Sequence, residues 1–222
     1  MTKPLAVLFD AYGTLLDVHA AAARHEARLG AQGPAVSALW RAKQLEYSWM
    51  LSATGDYEDF WALTEHALDH AMAVHGLADR ALRAGLLSAY RALDAYPGVA
   101  EVLTALRADG LGTGILSNGA PGMLADAMAA SGLGPLLDAV LSVDPLRRYK
   151  PDPKVYQLGA ERFGGRPGEI AFVSSNPWDA YGALRFGFRV FWVNRTGARA
   201  EYGLAEAATI LPDLAALPAL LA

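Results

Sequence analysis

The chain has 222 residues, 53% of them hydrophobic, enough for one large domain or for a core with an insertion. Its net charge of −4 comes without a basic stripe or a block of like charge, which argues against a nucleic-acid partner and a disordered tail. It has no cysteine, so disulfides, thiolate metal sites and cysteine nucleophiles are excluded together.

Residues 1–4 lead straight into the apolar run Leu5-Ala6-Val7-Leu8-Phe9, with no apolar signal region, and no run approaches ~18 apolar residues. A cytoplasmic protein away from the membrane is expected. The run suits a strand buried on both faces of a parallel sheet. It stops at Asp10, with Gly13 a turn later and Thr14 four residues on. An acid at the carboxyl end of such a strand can be a nucleophile, a base, a metal ligand or simply a turn residue.

From Asp17 to about Tyr96 the composition turns helical, rich in Ala, Leu, Glu and Arg. Large apolar side chains at Leu39, Trp40, Leu45, Tyr47 and Met50 predict a helix over Ser37–Met50. Phe60, Leu63, Ala67, Ala71 and Val74 predict a second over Phe60–Val74, with Asp56, three residues before Asp59, as its cap. A third is expected over Asp79–Leu93. Pro97-Gly98 ends this all-helical segment, and the pattern then alternates. Helices near Val99–Ala108, Met123–Ser131 and Pro153–Phe163 separate strands at Gly112–Leu116, Ala139–Val143 and Ile170–Val173. Arg189–Val193 and a short Ala208–Leu211 complete the strands. Alternation of this kind means parallel βαβ units. The expected fold is α/β: a doubly wound, Rossmann-like core from residues 1–16 and 97–222, with a helical cap, 17–96, inserted after the first strand.

Polar clusters end four strand candidates: Asp10 to Thr14, Ser117-Asn118, Lys150, and Ser174-Ser175-Asn176-Pro177-Trp178-Asp179. Each has a bland reading. Ser117-Asn118-Gly119 is an ordinary turn, Lys150 a loop lysine, and Asp179 a cap for a helix starting near Ala180. Together they would meet in one crevice. There Lys150 would keep Asp10 ionised and Asp179 could take a proton from water, while Ser117, Asn118 and Ser174 could bind an anionic group. No metal or other cofactor needs to be present.

The segments Phe9-Asp10-Ala11-Tyr12-Gly13-Thr14-Leu15, Ile115-Leu116-Ser117-Asn118-Gly119, Tyr149-Lys150-Pro151-Asp152-Pro153 and Phe172 to Asp179 resemble, in order, the four motifs of the haloacid dehalogenase superfamily. Most of its members are magnesium-dependent phosphatases, with a second Asp two residues after the nucleophile and an Asp pair in the last motif. Tyr12 and Ser175 stand at two of those places, which argues against phosphoryl transfer. Both departures, and the cap sequence Leu39 to Tyr47, are similar to the L-2-haloacid dehalogenase branch. Ala42 stands where that branch often has Gln, which bears on the pocket's width.

The resemblance implies hydrolysis of short (S)-2-haloalkanoic acids to (R)-2-hydroxy acids and halide, through an ester to Asp10. It implies that Arg41 binds the leaving halide and can also meet the substrate carboxylate, and that Thr14, Ser174 and Asn176 position Asp10, Lys150 and the water. Ala11, Tyr12, Ser117 and Asn118 would hold the substrate carboxylate, largely through backbone N–H groups, and Tyr156 would hydrogen-bond within the site. Tyr12, Leu45, Phe60 and Trp178 would form an apolar wall. Relatives are commonly homodimers. A phosphatase with an altered magnesium site and a non-catalytic binding protein are the alternative expectations.

Overall fold

A computed structural model, which describes residues 3–222, has six parallel strands in the order β3-β2-β1-β4-β5-β6. They are β1 (Ala6–Phe9), β2 (Gly112–Ser117), β3 (Ala139–Ser142), β4 (Ile170–Ser174), β5 (Arg189–Val193) and β6 (Thr209–Leu211). All four residues of β1 are buried, as its unbroken apolar sequence requires of a strand covered on both faces. It lies between β2 and β4, with Phe9 level with both Ile115 and Val173. The chain leaves β1 toward β2 on one side and β4 on the other, so Asp10 sits where the strand order reverses. That is where open α/β sheets leave a crevice.

The helices that cover the sheet are α6 (Val99–Ala108), α7 (Pro121–Ser131), α8 (Pro153–Phe163) and α9 (Pro177–Phe186), with short α10 (Leu204–Ala207) and α11 (Leu217–Leu221) near the end. Proline opens α7, α8 and α9, where its missing N–H removes no helical bond. Helix α9 therefore starts at Pro177, and Asp179 lies in its first turn rather than capping a helix near Ala180. Asn176 occupies the cap position but makes no side-chain cap bond. Its amide is used elsewhere, as described below.

Helices α1 (Ala20–Ala23), α2 (Glu26–Leu29), α3 (Gly33–Thr54), α4 (Phe60–Val74) and α5 (Arg80–Arg91) fall between β1 and α6 and form a helical cap. Helix α3 runs past both ends of the predicted Ser37–Met50. Pro34 is accommodated in its first turn, and Gly55, in a left-handed conformation (φ 80°), stops it. The cap of α4 is Asp59, which accepts from Trp61 and Ala62 N–H, and not Asp56. Asp79 caps α5 in the same way. Where the chain crosses between cap and core, Asp17 N–H donates to Asp94 O and Tyr96 N–H to Leu15 O, and Leu16 bridges Ala95. We propose that the boundary between the two domains lies at this pairing.

The cap is closed on the core. Trp49 of α3 meets Trp178 edge-on at 5.4 Å, Tyr57 donates to Asp144 Oδ1 at 2.5 Å, and Arg91 pairs with Asp126 at 2.7 Å. Among the described residues no helix is long and apolar enough to cross a membrane.

Candidate active site

Asp10 follows β1 directly, its N–H bonded to Val173 O. The chain then folds into a tight turn in which the Ala11 carbonyl accepts from Thr14, Leu15 and Leu16. Gly13 takes φ 89°, a conformation that disfavours any side chain. The turn aims Thr14 back at the acid, and its hydroxyl donates to Asp10 Oδ2 at 3.1 Å. The Asn176 amide donates to the same oxygen at 2.7 Å and to Tyr12 O at 3.3 Å. The other oxygen, Oδ1, receives Lys150 Nζ at 3.1 Å.

Lys150 is fully buried and bridges two carboxylates, with Nζ 2.8 Å from Asp179 Oδ2. Burial alone would lower its pKa, but Asp10 and Asp179 outweigh burial and raise it, so it stays charged. Asp179 is also fully buried. Burial pushes its pKa up to about 6, against the opposing pull of Lys150, with the nearby Asp10 adding to the rise. Tyr156 Oη donates to Asp179 Oδ1 at 2.8 Å, and burial holds this phenol well above its usual pKa, so it remains a donor. The set is an acid pair held by one cation, with one carboxyl poised to exchange a proton near neutral pH.

In front of Asp10 is a cavity lined by Asp10, Tyr12, Arg41, Leu45, Phe60, Ser117, Asn118 and Trp178. Its free space is about 10 Å³, room for a single water. Arg41 and Leu45 are one turn apart on α3 and so face the cavity together. Arg41 reaches across from the cap, with Nη2 3.3 Å from Tyr12 O. Asn118 Oδ1 accepts the Lys150 backbone N–H at 3.0 Å, which fixes the amide and leaves its buried Nδ2 with no protein partner. Ser117 Oγ accepts Gly119 N–H at 3.1 Å, leaving its own O–H free to donate. Unpaired donors beside an arginine suit an anionic ligand, since a buried donor without a partner is costly.

Not every expected residue faces this cavity. Ser174 Oγ accepts the Asn176 backbone N–H at 3.1 Å and its own hydroxyl donates to Asn176 O at 3.5 Å, so both of its bonds fall within its own loop. The Ala11 side chain is fully buried and does not line the cavity, so only its backbone N–H could serve the expected role. Ala42 is exposed on α3 and is not a wall residue either, so its departure from Gln does not set the pocket's width.

Two groups that sequence reasoning passed over support the site. Beneath the cap wall, Tyr90 donates to Gln44 Oε1 at 3.2 Å, Gln44 to Thr64 Oγ1 at 2.9 Å, and Thr64 to Phe60 O at 2.7 Å. Tyr90 also stacks on Tyr12 at 5.7 Å. Behind the Asp10 turn, Arg195 donates to Gly13 O, Thr14 O and Ser175 Oγ. The signal for Arg195 was present: Asn194-Arg195 ends β5 as the other polar clusters end their strands.

Comparison with known proteins follows the same lines. The family model described as haloacid dehalogenase-like hydrolase matches residues 4–187. "(S)-2-haloacid dehalogenase 4A" of Burkholderia cepacia is 49% identical over 201 residues, 90% of this chain and 87% of that protein. A dehalogenase solved with an intermediate complex is 46% identical, with a TM-score of 0.97 over 100% of this chain and 99% of the other. L-2-haloacid dehalogenase from Xanthobacter autotrophicus, solved with chloropropionic acid covalently bound, is 39% identical, with a TM-score of 0.89 over 100% and 98% of the two chains.

Proposed function

We propose that this chain, which belongs to the (S)-2-haloacid dehalogenases within the haloacid dehalogenase-like hydrolases, hydrolyses the carbon–halogen bond of short (S)-2-haloalkanoic acids, giving (R)-2-hydroxy acids and halide. The observation that carries this reading is the all but buried Asp10 carboxylate at a cavity that also presents Arg41 and the free Asn118 Nδ2. A nucleophile, an anion-binding group and an apolar wall meet within one small space.

In this account the substrate carboxylate lies against Ser117, Asn118 and the Tyr12 turn, and the halogen points at Arg41. Asp10 attacks the carbon from the face opposite the halogen. The new C–O bond forms as the C–X bond breaks, the halide leaves with its electron pair, and the centre inverts. Tyr12, Leu45, Phe60 and Trp178 exclude bulk water, which matters because a hydrated carboxylate is a poor nucleophile. Water then gives a proton to Asp179 and attacks the ester carbonyl of Asp10. Collapse expels the hydroxy acid as its alkoxide, which takes the water's remaining proton and leaves Asp10 as the carboxylate, and Asp179 gives its proton up to solvent. Thr14 and Asn176 hold Asp10, Tyr156 holds Asp179, and Lys150 keeps both carboxylates in register. The closed cavity has free space of only about 10 Å³, so substrate enters when the cap parts from the core at the Trp49–Trp178 contact.

The reading is metal-free. The Lys150 ammonium fills the space between the two carboxylates, and Ser175, which stands where a phosphatase would carry an acid, faces the Arg195 guanidinium at 2.8 Å. With it go a cytoplasmic setting and a homodimer, for which exposed Met50 and Val74 on the cap offer apolar surface. The test is halide release from (S)-2-chloropropionate, with the (R) form alongside, in EDTA. Release from the (S) form alone supports the reading. No release, with phosphate-ester hydrolysis on adding Mg²⁺, overturns it.

A further inference from the structure

We infer that Arg195 is a positioning residue of this reaction: it clamps the turn that carries the nucleophile to the loop that carries Asn176 and Asp179. The inference rests on the dehalogenase reading given above. Arg195 lies just beyond β5, two strands from β1, and its side chain crosses behind the loop after β4 to reach the Asp10 turn. Nη1 donates to Gly13 O at 3.1 Å and to Ser175 Oγ at 2.8 Å, and Nη2 donates to Thr14 O at 2.8 Å. One planar group thus ties three points on two segments that are about 160 residues apart in sequence.

Those segments hold the reacting carboxylate. Thr14 Oγ1 donates to Asp10 Oδ2 and accepts Ser175 N–H at 2.8 Å, while Asn176 donates to the same Asp10 oxygen. If Ser175 drifts from Gly13 and Thr14, both donors to Oδ2 move and the attack angle of Asp10 changes. No other charged side chain of the described residues hydrogen-bonds to these two segments from behind. A lysine could not replace the guanidinium, because a point charge cannot meet two carbonyls and a hydroxyl in one plane.

Arg195 also grips the joint between core and cap. Its guanidinium carbon lies 3.9 Å from the centre of the Tyr96 ring, and Tyr96 belongs to the crossing segment, with its N–H on Leu15 O and its hydroxyl 3.4 Å from Asp17. The nucleophile turn is therefore anchored on the same cation that stacks on the segment joining cap to core.

The experiment compares wild type, Arg195→Ala and Arg195→Lys by steady-state halide release and thermal melting, with guanidinium chloride or methylammonium chloride added at millimolar level. A misplacement of about 1 Å can slow chemistry ~100-fold. The expected result is a fall in kcat of about 10- to 100-fold for Arg195→Ala with KM changed only a few-fold. Guanidinium, and not methylammonium, should restore kcat. Arg195→Lys should melt as wild type does and still be slow, which covers the case in which Arg195→Ala does not fold. Wild-type kcat in Arg195→Lys overturns the inference, as does a loss in Arg195→Ala that only follows its melting temperature and ignores guanidinium. Absence of halide release by wild type overturns the dehalogenase reading instead, so the two failures are distinguishable.

Discussion

Replacing Lys150 by Met keeps most of the side chain's bulk and removes one charge. In the native site the ammonium is fully buried, 3.1 Å from Asp10 Oδ1 and 2.8 Å from Asp179 Oδ2. Without it, two buried carboxylates face each other with no cation between them. Breaking a buried ion pair from one side costs about 3–5 kcal/mol. For a chain of this size each kcal/mol moves the melting temperature by roughly 2–4 °C, so a fall of about 6–20 °C is expected. The sign of the pH effect follows. Losing the cation removes the charge that pulls the Asp179 pKa down, so the variant's deficit should be larger at alkaline pH and shrink as Asp179 takes up a proton. With the ammonium gone Asp10 also loses the donor that fixes its Oδ1, and a misplacement of about 1 Å can slow chemistry ~100-fold. Melting curves at mildly acid and mildly alkaline pH, with halide release measured on the same samples, check both effects. A variant that melts with wild type at both pH values, or that releases halide normally, would refute the assignment of Lys150 as the cation that holds the pair.

The pKa of Asp179, raised from 3.8 to about 6 by burial, gives two opposed trends. Ester hydrolysis should fall below a pH of about 6 as the base takes up its proton; a flat profile through that region would mean another group is the base. The same group's folded pKa lies above its unfolded one. Its contribution to stability is therefore full at low pH and is lost as pH rises through about 6; denaturant titrations across that range measure it. Tyr156→Phe removes the Oη bond to Asp179 Oδ1, worth about 1.5–3 kcal/mol for a charged acceptor. It should slow ester hydrolysis more than ester formation, and rapid-quench kinetics that find both steps unchanged would remove Tyr156 from the site. Gly182→Ala would place a Cβ 2.3 Å from Tyr156 Oη and 2.7 Å from Pro151 Cβ. Overpacking of this kind costs about 1–3 kcal/mol, and turnover should fall with stability; a fully active, equally stable variant would contradict the packing described.

The core of the site was legible because a parallel sheet sends every strand's carboxyl end to one edge. Asp10, Ser117-Asn118 and the Ser174–Asp179 segment each end a strand, and Lys150 follows in the loop beyond β3; the sheet brings them together. The alternation of strands and helices likewise carried the topology. What stayed hidden depends on side-chain direction. Ser174 and Asn176 are neighbours in one polar cluster, yet one serves its own loop and the other reaches Asp10. Asn176 also departs from local preference, since a good helix cap residue gives its amide to the nucleophile. Ala42 lies only one residue from Arg41, but on a helix that is enough to turn it to solvent. Gln44, Thr64 and Tyr90 are buried in a hydrogen-bonded set whose members are separated by tens of residues, and no spacing rule links them. Arg195 lies two strands from Asp10 and meets its turn only after the sheet has formed.

The central claim is that Asp10, and not water, attacks the carbon that bears the halogen. A single turnover in ¹⁸O-water, followed by mass spectrometry of both product and protein, tests it most directly. The account requires that the product hydroxyl carry no label, because its oxygen comes from Asp10, and that the label appear in the Asp10 carboxylate. Label in the product on that first turnover, with Asp10 unlabelled, would mean that water attacks the carbon directly and would contradict the account.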